Sequence, residues 1–379
     1  MDGEPILFTV SIGQGHNQAA RALKEELEKH GFSHVHVIDT FHYIHPLLHS
    51  SIASLYRLVV RYTPSVWEAI FKEHRHRCAL FRHYEKMLRL ISKPIERLIV
   101  ETNPPFIIST HPSATWLVAI VKEKNGWSIP LYSVITDFRL HPTYVHQQVT
   151  SYFTIDEAAK TFALSVGLNP SSFHQTGIPF PMKPPDVHEM MQFRQSLQID
   201  PNRAVVVIAG GGLGLTSYHV ILEELEKITT PLTIFCMIGH NDDAKKKLTN
   251  YCSHHDIRII SYTDQFVSYL AISDVVITKA GGLTLTEALS CEVPVVLYEP
   301  LPGHERLNAK LAVRWGFAVH AADQDEIALY VQRILSDPIL KTKMKLSARR
   351  HKKENAAYQI VKTITYPLTS VPANNWSRE

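Results

Sequence analysis

The sequence predicts an α/β protein of two domains, each built on a parallel β-sheet with helices on both faces. The chain has 379 residues, more than one hydrophobic core usually serves, so two domains of about 150 to 200 residues are expected. Short apolar runs of strand length alternate with helical patterns, as is typical of parallel sheets. The alternation stops at a proline-rich passage near residue 180 and starts again near residue 204.

The first half of the chain contains five predicted strands. Residues 6–10 form an apolar run, a glycine-rich turn follows at 11–16, and residues 19–27 have the pattern of an amphipathic helix. The other four strands are expected at residues 35–38, 106–109, 131–135 and 152–155.

The second half repeats this order of elements. Prolines between residues 179 and 185 disfavour both helix and strand, which predicts a linker. A β-branched strand at 204–209 then runs directly into the glycines of 210–214. Further strands are expected at residues 232–238, 257–260, 275–278 and 293–298. We therefore predict a domain over 1–180, a linker over 181–200 and a Rossmann-like domain from residue 201, with a substrate cleft between the two sheets.

Composition and charge restrict the class of protein. The formal net charge is only +3, whereas nucleic-acid binders usually have a stronger basic excess. The four cysteines, at positions 78, 236, 252 and 291, form neither a CxxC pair nor a zinc spacing. The first residues lack the basic character of a secretory signal, and no apolar run is long enough to cross a membrane. We expect a cytoplasmic protein with no structural metal, no nucleic-acid partner and at most peripheral membrane contact.

Two glycine-rich turns follow strands and precede helices. Residues 13–16, which include Gly15 and His16, form the first turn, and residues 210–214, which include Gly212, form the second. Glycine lets the backbone approach a ligand closely, and a helix N-terminus offers unpaired N–H groups to an anion. A tight turn without a ligand is an equally good interpretation of either one alone. Neither turn has the GxGxxG spacing of a dinucleotide site or the pattern of a P-loop.

A third turn, at residues 278–289, predicts an anion site more sharply. Gly281 and Gly282 follow a strand and open a helix, where their amides are expected to meet a diphosphate. The Thr284 hydroxyl can donate to a phosphate oxygen. Glu287, expected on the first turn of this helix, is placed to accept hydrogen bonds from ribose hydroxyls. The simpler alternative is that Glu287 only interacts favourably with the helix dipole.

Residues 57–97 are basic and aromatic, with ten Lys or Arg residues against four Glu and no Asp. Such a pattern on an amphipathic helix suits the surface of an anionic bilayer. The alternative is a surface helix pair whose apolar stripe packs on the N-terminal sheet, and we expect that packing for the stripe and membrane contact for the basic face. The candidate acceptor or membrane residues are Gly15, Tyr62, Trp67, Phe71, Arg75 and Arg77.

Six segments in one order resemble the monogalactosyldiacylglycerol synthase family, including the bacterial processive diacylglycerol β-glucosyltransferases. The segments are residues 11–20, 135–141, 144–146, 176–179, 279–287 and 300–308. The resemblance implies the GT-B fold, two Rossmann-like domains whose sheets face an interdomain cleft. The C-terminal domain, residues 201–345, would bind the UDP-sugar, and the N-terminal domain would bind the acceptor. Residues 346–379 would form a helix that returns to the N-terminal domain.

The resemblance also implies roles for individual residues in an inverting transfer that needs neither metal nor cofactor. His16 and Asp137 are the candidate catalytic pair, and the sequence leaves open which is the base and whether Asp137 orients His16. Phe266 would meet the uracil through its backbone. Glu305 and Asn308 would contact sugar hydroxyls. His304 stands where many members of the family have glutamine. The expected donor residues are Gly212, Phe266, Gly281, Gly282, Thr284, Glu287, His304, Glu305 and Asn308.

The expected function is transfer of a hexose, glucose or galactose, from a UDP-sugar to diacylglycerol or a glycosyl-diacylglycerol at the inner face of the cell membrane. Three alternatives remain open from the sequence. They are transfer of N-acetylglucosamine from its UDP derivative to a polyprenyl-linked acceptor, epimerisation of a UDP-sugar, and a catalytically silent UDP-sugar sensor.

Overall fold

The computed structural model describes residues 3–11, 13–47, 50–52 and 79–369. These residues form two α/β domains, each with a six-stranded sheet in which all neighbouring strands are parallel. This architecture confirms the predicted fold class. Of the candidate membrane residues, Tyr62, Trp67, Phe71, Arg75 and Arg77 lie outside the described residues.

The N-terminal sheet has the strand order β2-β1-β3-β4-β5-β6. Its strands are β1 (Ile6–Thr9), β2 (His36–Asp39), β3 (Ile107–Ser109), β4 (Leu131–Val134), β5 (Ser151–Thr154) and β6 (Phe173–Gln175). The helices around it are α1 (Gln14–Lys29), α2 (Thr40–Ile44), α3 (Ala79–Ile91), α4 (Lys93–Thr102), α5 (Pro112–Asn125) and α6 (Ala159–Ser165). Because β1 lies between β2 and β3, the strand order reverses at β1, and the turns after β1 and β3 border the crevice where open sheets bind ligands.

The C-terminal sheet has the order β12-β11-β10-β7-β8-β9, which reverses between β7 and β10. Its strands are β7 (Ala204–Ala209), β8 (Leu232–Gly239), β9 (Asp256–Ser261), β10 (Val275–Thr278), β11 (Val295–Leu297) and β12 (Ala318–His320). The remaining helices are α7 (Val187–Ser196), α8 (Tyr218–Leu225), α9 (Asp242–Leu248), α10 (Phe266–Ala271), α11 (Gly282–Ser290), α12 (His304–Trp315), α13 (Asp325–Ser336), α14 (Pro338–His351) and α15 (Ala356–Thr369). Two of the glycine-rich turns predicted from the sequence therefore flank this second crevice.

All ten predicted strands are present, and β6 and β12 are additional. Both additional strands have three residues and form one edge of their sheet, and only the first residue of each is buried. Their sequences, Phe-His-Gln and Ala-Val-His, lack the continuous apolar run from which the other strands were predicted. The strands that could be predicted from the sequence are therefore those with such a run.

The predicted domain boundaries fall near, but not on, the breaks between elements. Within the predicted linker, α7 begins after Asp186, whose side chain accepts from the Glu189 amide while the Glu189 side chain accepts from the Asp186 amide. The predicted boundary between residues 345 and 346 falls inside α14, which ends at His351. The break lies at residues 352–355, before α15.

The last helix, α15, packs on the N-terminal domain. Its buried residues Ile360, Val361 and Ile364 share a core cluster with Leu23 and Leu27 of α1. Burial of such side chains stabilises the contact by roughly 1.5–3 kcal/mol each. The chain thus crosses back from the C-terminal domain and fixes one side of the cleft.

Helices α3 and α4 cover the described part of the basic aromatic segment. Leu88, Ile95 and Ile99 are buried in the core of the N-terminal domain, so the apolar stripe packs on the domain. Leu90 remains 84% exposed and Val100 57% exposed. Among the described residues, no helix combines the length and apolarity needed to span a bilayer.

Candidate active site

The ends of β1, β3 and β4 in one domain face the ends of β7 and β10 in the other across a cavity of about 880 Å³. The strand order of the first sheet reverses at β1, and that of the second reverses between β7 and β10. The cavity therefore lies at the switch points of both sheets. The cavity is lined by Gly15, His16, Asp137, Gly212, Phe266, Gly281, Gly282, Thr284, Glu287, His304 and Glu305. The predicted site residues thus converge, with Asn308 as an exception among the described ones.

The domains touch through glycines at the cavity. A Cβ on Gly282 would collide with the carbonyl oxygen of Thr136, and a Cβ on Gly212 would collide with the Gln14 side chain. Leu283 lies 3.5 Å from where a Gly15 Cβ would be. Both predicted glycine turns of the C-terminal domain therefore serve close approach of one backbone to the other domain, in addition to lining the cavity.

His16 lies on the first turn of α1 and is oriented by two neighbours. Its Nδ1 is 2.8 Å from the Thr110 carbonyl oxygen and 2.8 Å from the Thr136 hydroxyl. Since a carbonyl only accepts, Nδ1 carries the proton, which leaves Nε2 with a free lone pair. Burial lowers the pKa of His16 despite the nearby Asp137 charge, so the ring is neutral near pH 7 and can accept a proton.

Asp137, at the end of β4, is an ionised buried carboxylate. Its Oδ2 accepts from His141 Nε2 and from the Tyr144 hydroxyl, each at 3.2 Å, and its Oδ1 accepts from Asn308 Nδ2 at 3.1 Å. Burial alone would raise the pKa of Asp137, but the His304 charge and the donor groups outweigh it and lower the pKa.

A hydrogen-bonded relay joins His16 to Asp137. Thr136 Oγ1 receives the His16 Nδ1–H and lies 3.2 Å from the Tyr144 hydroxyl oxygen, and Tyr144 in turn donates to Asp137. The directions are consistent along the chain, because each hydroxyl accepts once and donates once. The pair predicted from the sequence is therefore connected through two intermediate side chains. The orientation of His16 comes from Thr110 and Thr136.

His111 is a cavity residue that the sequence did not indicate. Its ring lies edge-on to His16 with centroids 4.5 Å apart. Its Nδ1 accepts from the Ser113 amide and caps α5, so its proton is on Nε2. Burial and the neighbouring His16 hold the pKa of His111 well below its usual value. Both rings are therefore neutral near pH 7.

The N-terminus of α11 faces the cavity from the C-terminal domain. Gly281 is the N-cap, and the amides of residues 282–284 have no acceptor within the helix. These amides form an anion-binding site, and the helix dipole adds to the positive potential there. This geometry places the third glycine turn where the sequence predicted it.

Glu287 lies on the second turn of α11, not the first as expected, because the helix begins at Gly282. It is 9% exposed and lines the cavity. Burial raises its pKa to about 8, so the side chain is mostly a neutral acid at pH 7. A first-turn acid that only stabilises the helix dipole would be exposed and ionised, and that simpler interpretation therefore does not fit.

Lys279 is a second cavity residue that was missed. Its Nζ lies 3.1 Å from Glu305 Oε1, and the two side chains are 13% and 6% exposed. The other oxygen of Glu305 accepts from the Leu301 amide at 2.8 Å. Lys279 begins the turn between β10 and α11, near the α11 amides, and therefore adds a positive charge where an anion would bind.

Asn308 is not among the residues that line the cavity, and its expected contact with sugar hydroxyls stays a prediction. The side chain is fully buried. Its oxygen accepts from the amides of Phe138 (2.9 Å) and Arg139 (3.2 Å), and its nitrogen donates to Asp137 (3.1 Å) and to the Ala280 carbonyl (3.2 Å). All four hydrogen bonds that an amide side chain can make are used within the protein.

Part of the cavity wall on the N-terminal domain is apolar. The residues are Phe41, Ile52, Tyr84, Met87 and Trp116. The Trp116 ring is oriented by a hydrogen bond from its Nε1 to the Thr143 carbonyl at 3.0 Å. One cavity therefore joins a polar, anion-binding end to an apolar end, with His16 between them.

One group of side chains in the described residues could hold a metal, and it lies outside the cavity. Glu226, His254 and His255 have ligand atoms within 4.8 Å of one another. Both ring nitrogens of His255 already bond backbone groups, namely the Leu232 amide and the Leu225 carbonyl. A metal ion would have to displace one of these bonds, so the group is better explained as a structural link between α8 and the loop before β9.

Two families match consecutive parts of the chain. Residues 16–180 match the monogalactosyldiacylglycerol synthase family, and residues 190–351 match the glycosyl transferases group 1 family. A processive diacylglycerol β-glucosyltransferase of Bacillus pumilus is 28% identical over 94% of this chain and 94% of its own length. The protein of the same name from Bacillus subtilis is 27% identical over 95% of this chain and 94% of its own length.

Solved structures share the fold at low sequence identity. MurG of Acinetobacter baumannii superposes with a TM-score of 0.62 at 16% identity, over 96% of this chain and 100% of that one. MnaA of S. aureus in complex with UDP gives 0.60 at 15% identity, over 99% of each chain. With its two parallel sheets, its cavity at both switch points and these two matching domains, the chain is a glycosyltransferase of the GT-B fold whose residues 16–180 match the monogalactosyldiacylglycerol synthase family.

Proposed function

We propose that this chain transfers a hexose, glucose or galactose, from a UDP-sugar to a diacylglycerol-type lipid, with inversion at the anomeric carbon. The observation that carries the proposal is the composition of the single cavity. An anion-binding helix N-terminus lies at one end and an apolar wall at the other, and a neutral histidine lies between them. The relatives are named for diacylglycerol glucosylation, and such a substrate pair needs both ends.

His16 is proposed as the general base. Its Nε2 takes the proton of the acceptor hydroxyl while the hydroxyl oxygen attacks the anomeric carbon. The bond from that carbon to the diphosphate breaks on the opposite face, and its electron pair leaves with UDP. Asp137 is the weaker candidate for the base because three donors occupy its oxygens. A carboxylate with a lowered pKa also has less tendency to take a proton.

Asp137 has a different proposed task in the same step. As His16 takes the proton it becomes an imidazolium, and the carboxylate stabilises that charge through the Thr136–Tyr144 relay. The electrostatic effect of Asp137 on the pKa of His16 is upward, which is the direction a base requires. The two residues therefore share one function with divided roles.

The leaving diphosphate is proposed to bind at α11 and Lys279. The amides of residues 282–284 and the Thr284 hydroxyl donate to phosphate oxygens, and Lys279 compensates the charge that develops on UDP. These groups make the transfer independent of a bound metal in this proposal. Glu287 accepts from the ribose hydroxyls, Phe266 lies at the uracil, and His304 and Glu305 lie at the sugar.

A lipid acceptor requires that the protein reach a bilayer. We propose that it does so peripherally, at the anionic inner face of the cell membrane, through the basic and aromatic segment of residues 57–97. The described end of that segment, α3, supplies Tyr84 and Met87 to the apolar wall of the cavity. The cavity thus begins beside the segment that would touch the lipid.

The test is release of UDP from UDP-glucose, UDP-galactose and UDP-N-acetylglucosamine, each with and without diacylglycerol in phosphatidylglycerol vesicles. We expect lipid-dependent release with one hexose donor and a glycolipid product identified by mass spectrometry. His16→Ala, which should bind UDP but release it from the donor about 10²–10⁴-fold more slowly, controls for contaminating hydrolases. Release that needs UDP-N-acetylglucosamine and a polyprenyl phosphate would contradict the proposed substrates. Donor conversion without lipid would indicate an epimerase, and UDP binding without turnover would indicate a sensor.

A further inference from the structure

Asn308 lies at the contact between the two domains. It lies on α12, the helix whose first residues, His304 and Glu305, line the cavity. Yet its own side chain points away from the cavity and into the other domain. Its oxygen accepts from two consecutive amides, those of Phe138 and Arg139, directly after Asp137.

The nitrogen of the same side chain bonds both domains. One N–H is donated to Asp137 Oδ1, and the other to the carbonyl of Ala280. Ala280 has a φ of 78°, in the left-handed region that a side chain makes unfavourable. Such a conformation persists only where its surroundings hold it, and Ala280 immediately precedes the glycines that open α11. Asn308 therefore contacts both the residue before the proposed diphosphate site and the carboxylate of the other domain.

We propose that Asn308 is a positioning residue that couples the donor-binding domain to the base. It holds Asp137 in the orientation from which the Tyr144–Thr136 relay reaches His16, and it does so only while the two domains are closed on each other. The inference rests on the proposed function for its link to turnover, although the bridge itself consists of contacts between described residues.

The proposal can be tested with Asn308→Asp, which changes the charge at the bridge with little change in side-chain shape. In Asn308→Asp a carboxylate oxygen replaces the N–H that faces Asp137 Oδ1, so two buried carboxyl groups share one site. One of them then keeps its proton to a higher pH, because two such charges in contact cannot both ionise. While protonated, the new side chain donates to Asp137 as the amide did. Once ionised, it repels Asp137 and breaks the bridge.

Other ionisable groups face this site and have to be considered. On the N-terminal domain these are His141 and Tyr144, which bond Asp137, and His16 and His111 behind them. On the C-terminal domain they are His304, whose charge lowers the pKa of Asp137, and the Lys279–Glu305 pair. All are present in both the wild type and the variant, so a difference between the two pH profiles reports on position 308.

The first measurement is the pH profile of kcat between pH 5.5 and 9 for the wild type, Asn308→Asp and Asn308→Ala. We expect Asn308→Asp to lose more than tenfold in kcat relative to wild type as the pH rises across this range. Asn308→Ala should lose about 50-fold or more at every pH, and both variants should keep a UDP Kd within about threefold of wild type. Asn250→Asp, an exposed change of the same chemistry, should follow the wild type.

If Asn308 instead contacts the sugar, both variants should weaken UDP-sugar binding relative to UDP and leave the shape of the pH profile unchanged. That outcome would overturn the proposal.

A second measurement needs no turnover and separates this proposal from the proposed function. The Tm of Asn308→Asp relative to wild type should fall as the pH rises, since a carboxyl with a raised pKa in the folded state loses its stabilising contribution on ionisation. The same difference for Asn250→Asp should be flat. A Tm difference for Asn308→Asp that is independent of pH would overturn the bridge even if no donor were ever turned over. Absence of turnover in wild type, with the predicted Tm slope, would overturn only the proposed function.

Discussion

The two walls of the cavity each contain a buried carboxyl group, and the two groups are in opposite states. Asp137 on the N-terminal domain accepts from a histidine, a tyrosine and an asparagine, and its pKa is lowered. Burial alone raises the pKa of Glu287, on the C-terminal domain, to about 8. Burial is common to both, so the donors and the charge around each carboxyl group decide whether it is ionised.

This difference suits the two proposed tasks. A permanent charge at Asp137 can stabilise an imidazolium on the other end of the relay. At Glu287, an acid without donors in the empty site is ready to receive them from a ligand, and vicinal ribose hydroxyls would supply two. The cavity is thus preorganised for proton transfer on one wall and completed by the donor on the other.

The largest expected effect is on the N-terminal wall. His16→Ala should lower kcat by about 10²–10⁴-fold, the usual contribution of a general base, while the Kd for UDP stays within about twofold. Initial rates of UDP release and calorimetry with UDP measure the two quantities. The exposed His188→Ala is the matched control and should change neither. A loss of UDP affinity in His16→Ala without a loss of kcat would contradict the proposal that the N-terminal wall serves proton transfer and the C-terminal wall binds the donor.

The next effect concerns the C-terminal wall. Glu287→Ala should weaken UDP binding by about 1.5–3 kcal/mol, which corresponds to roughly 10–150-fold in Kd, because charged hydrogen bonds to the ribose are lost. Calorimetry on the folded variant measures it, with the exposed Glu223→Ala on α8 as the control. Unchanged affinity would show that Glu287 does not contact the nucleoside.

The strand ends of both domains, and therefore the location of the cleft, could be predicted from the sequence because buried parallel strands leave continuous apolar runs. Ten of the twelve strands in the described residues followed from this, whereas most of the candidate residues came from the glycine-rich turns and from the resemblance to a known family. The contacts of Asn308 could not be predicted, since a motif fixes the position of an amide but not the direction in which it points. Lys279 and His111 follow strands β10 and β3, and attention to every residue that follows a strand at a switch point could have found both.

The protonation states of Asp137 and Glu287 could not be predicted from the sequence, for a related reason. Asp137 takes one of its donors from Asn308, 171 positions along the chain in the other domain. Glu287 was expected on the first turn of its helix, where water would keep it ionised. Its burial depends on where α11 begins, and a shift of one turn turns a dipole-stabilising acid into a neutral buried one.

A smaller effect follows from the raised pKa of Glu287. Below pH 8 the empty site holds a protonated side chain, and binding through the ionised form releases that proton. The affinity for UDP-glucose should therefore rise by about tenfold between pH 7 and pH 9. UDP-glucose is the appropriate ligand because its diphosphate has no ionisation near neutral pH.

Calorimetry at pH 7 in two buffers of different ionisation enthalpy measures the proton directly. We expect close to one proton released per UDP-glucose bound in wild type, and none in Glu287→Gln, which keeps the shape but cannot titrate. Equal proton release in the two proteins would assign the proton to another group. Proton uptake in wild type would reverse the inferred sign.

The smallest expected effect is that of metal removal, and it tests whether the C-terminal wall supplies its own positive charge. Lys279 lies beside the amides of residues 282–284, so a diphosphate bound there meets a cation and a helix N-terminus together. We expect EDTA to change kcat by less than about twofold. In Lys279→Met, Mg²⁺ should partly restore a lowered kcat, because the ion can replace the lost charge on the diphosphate. A wild type that stops in EDTA and recovers with Mg²⁺ would show that helix and lysine are insufficient, and that a cation completes this wall.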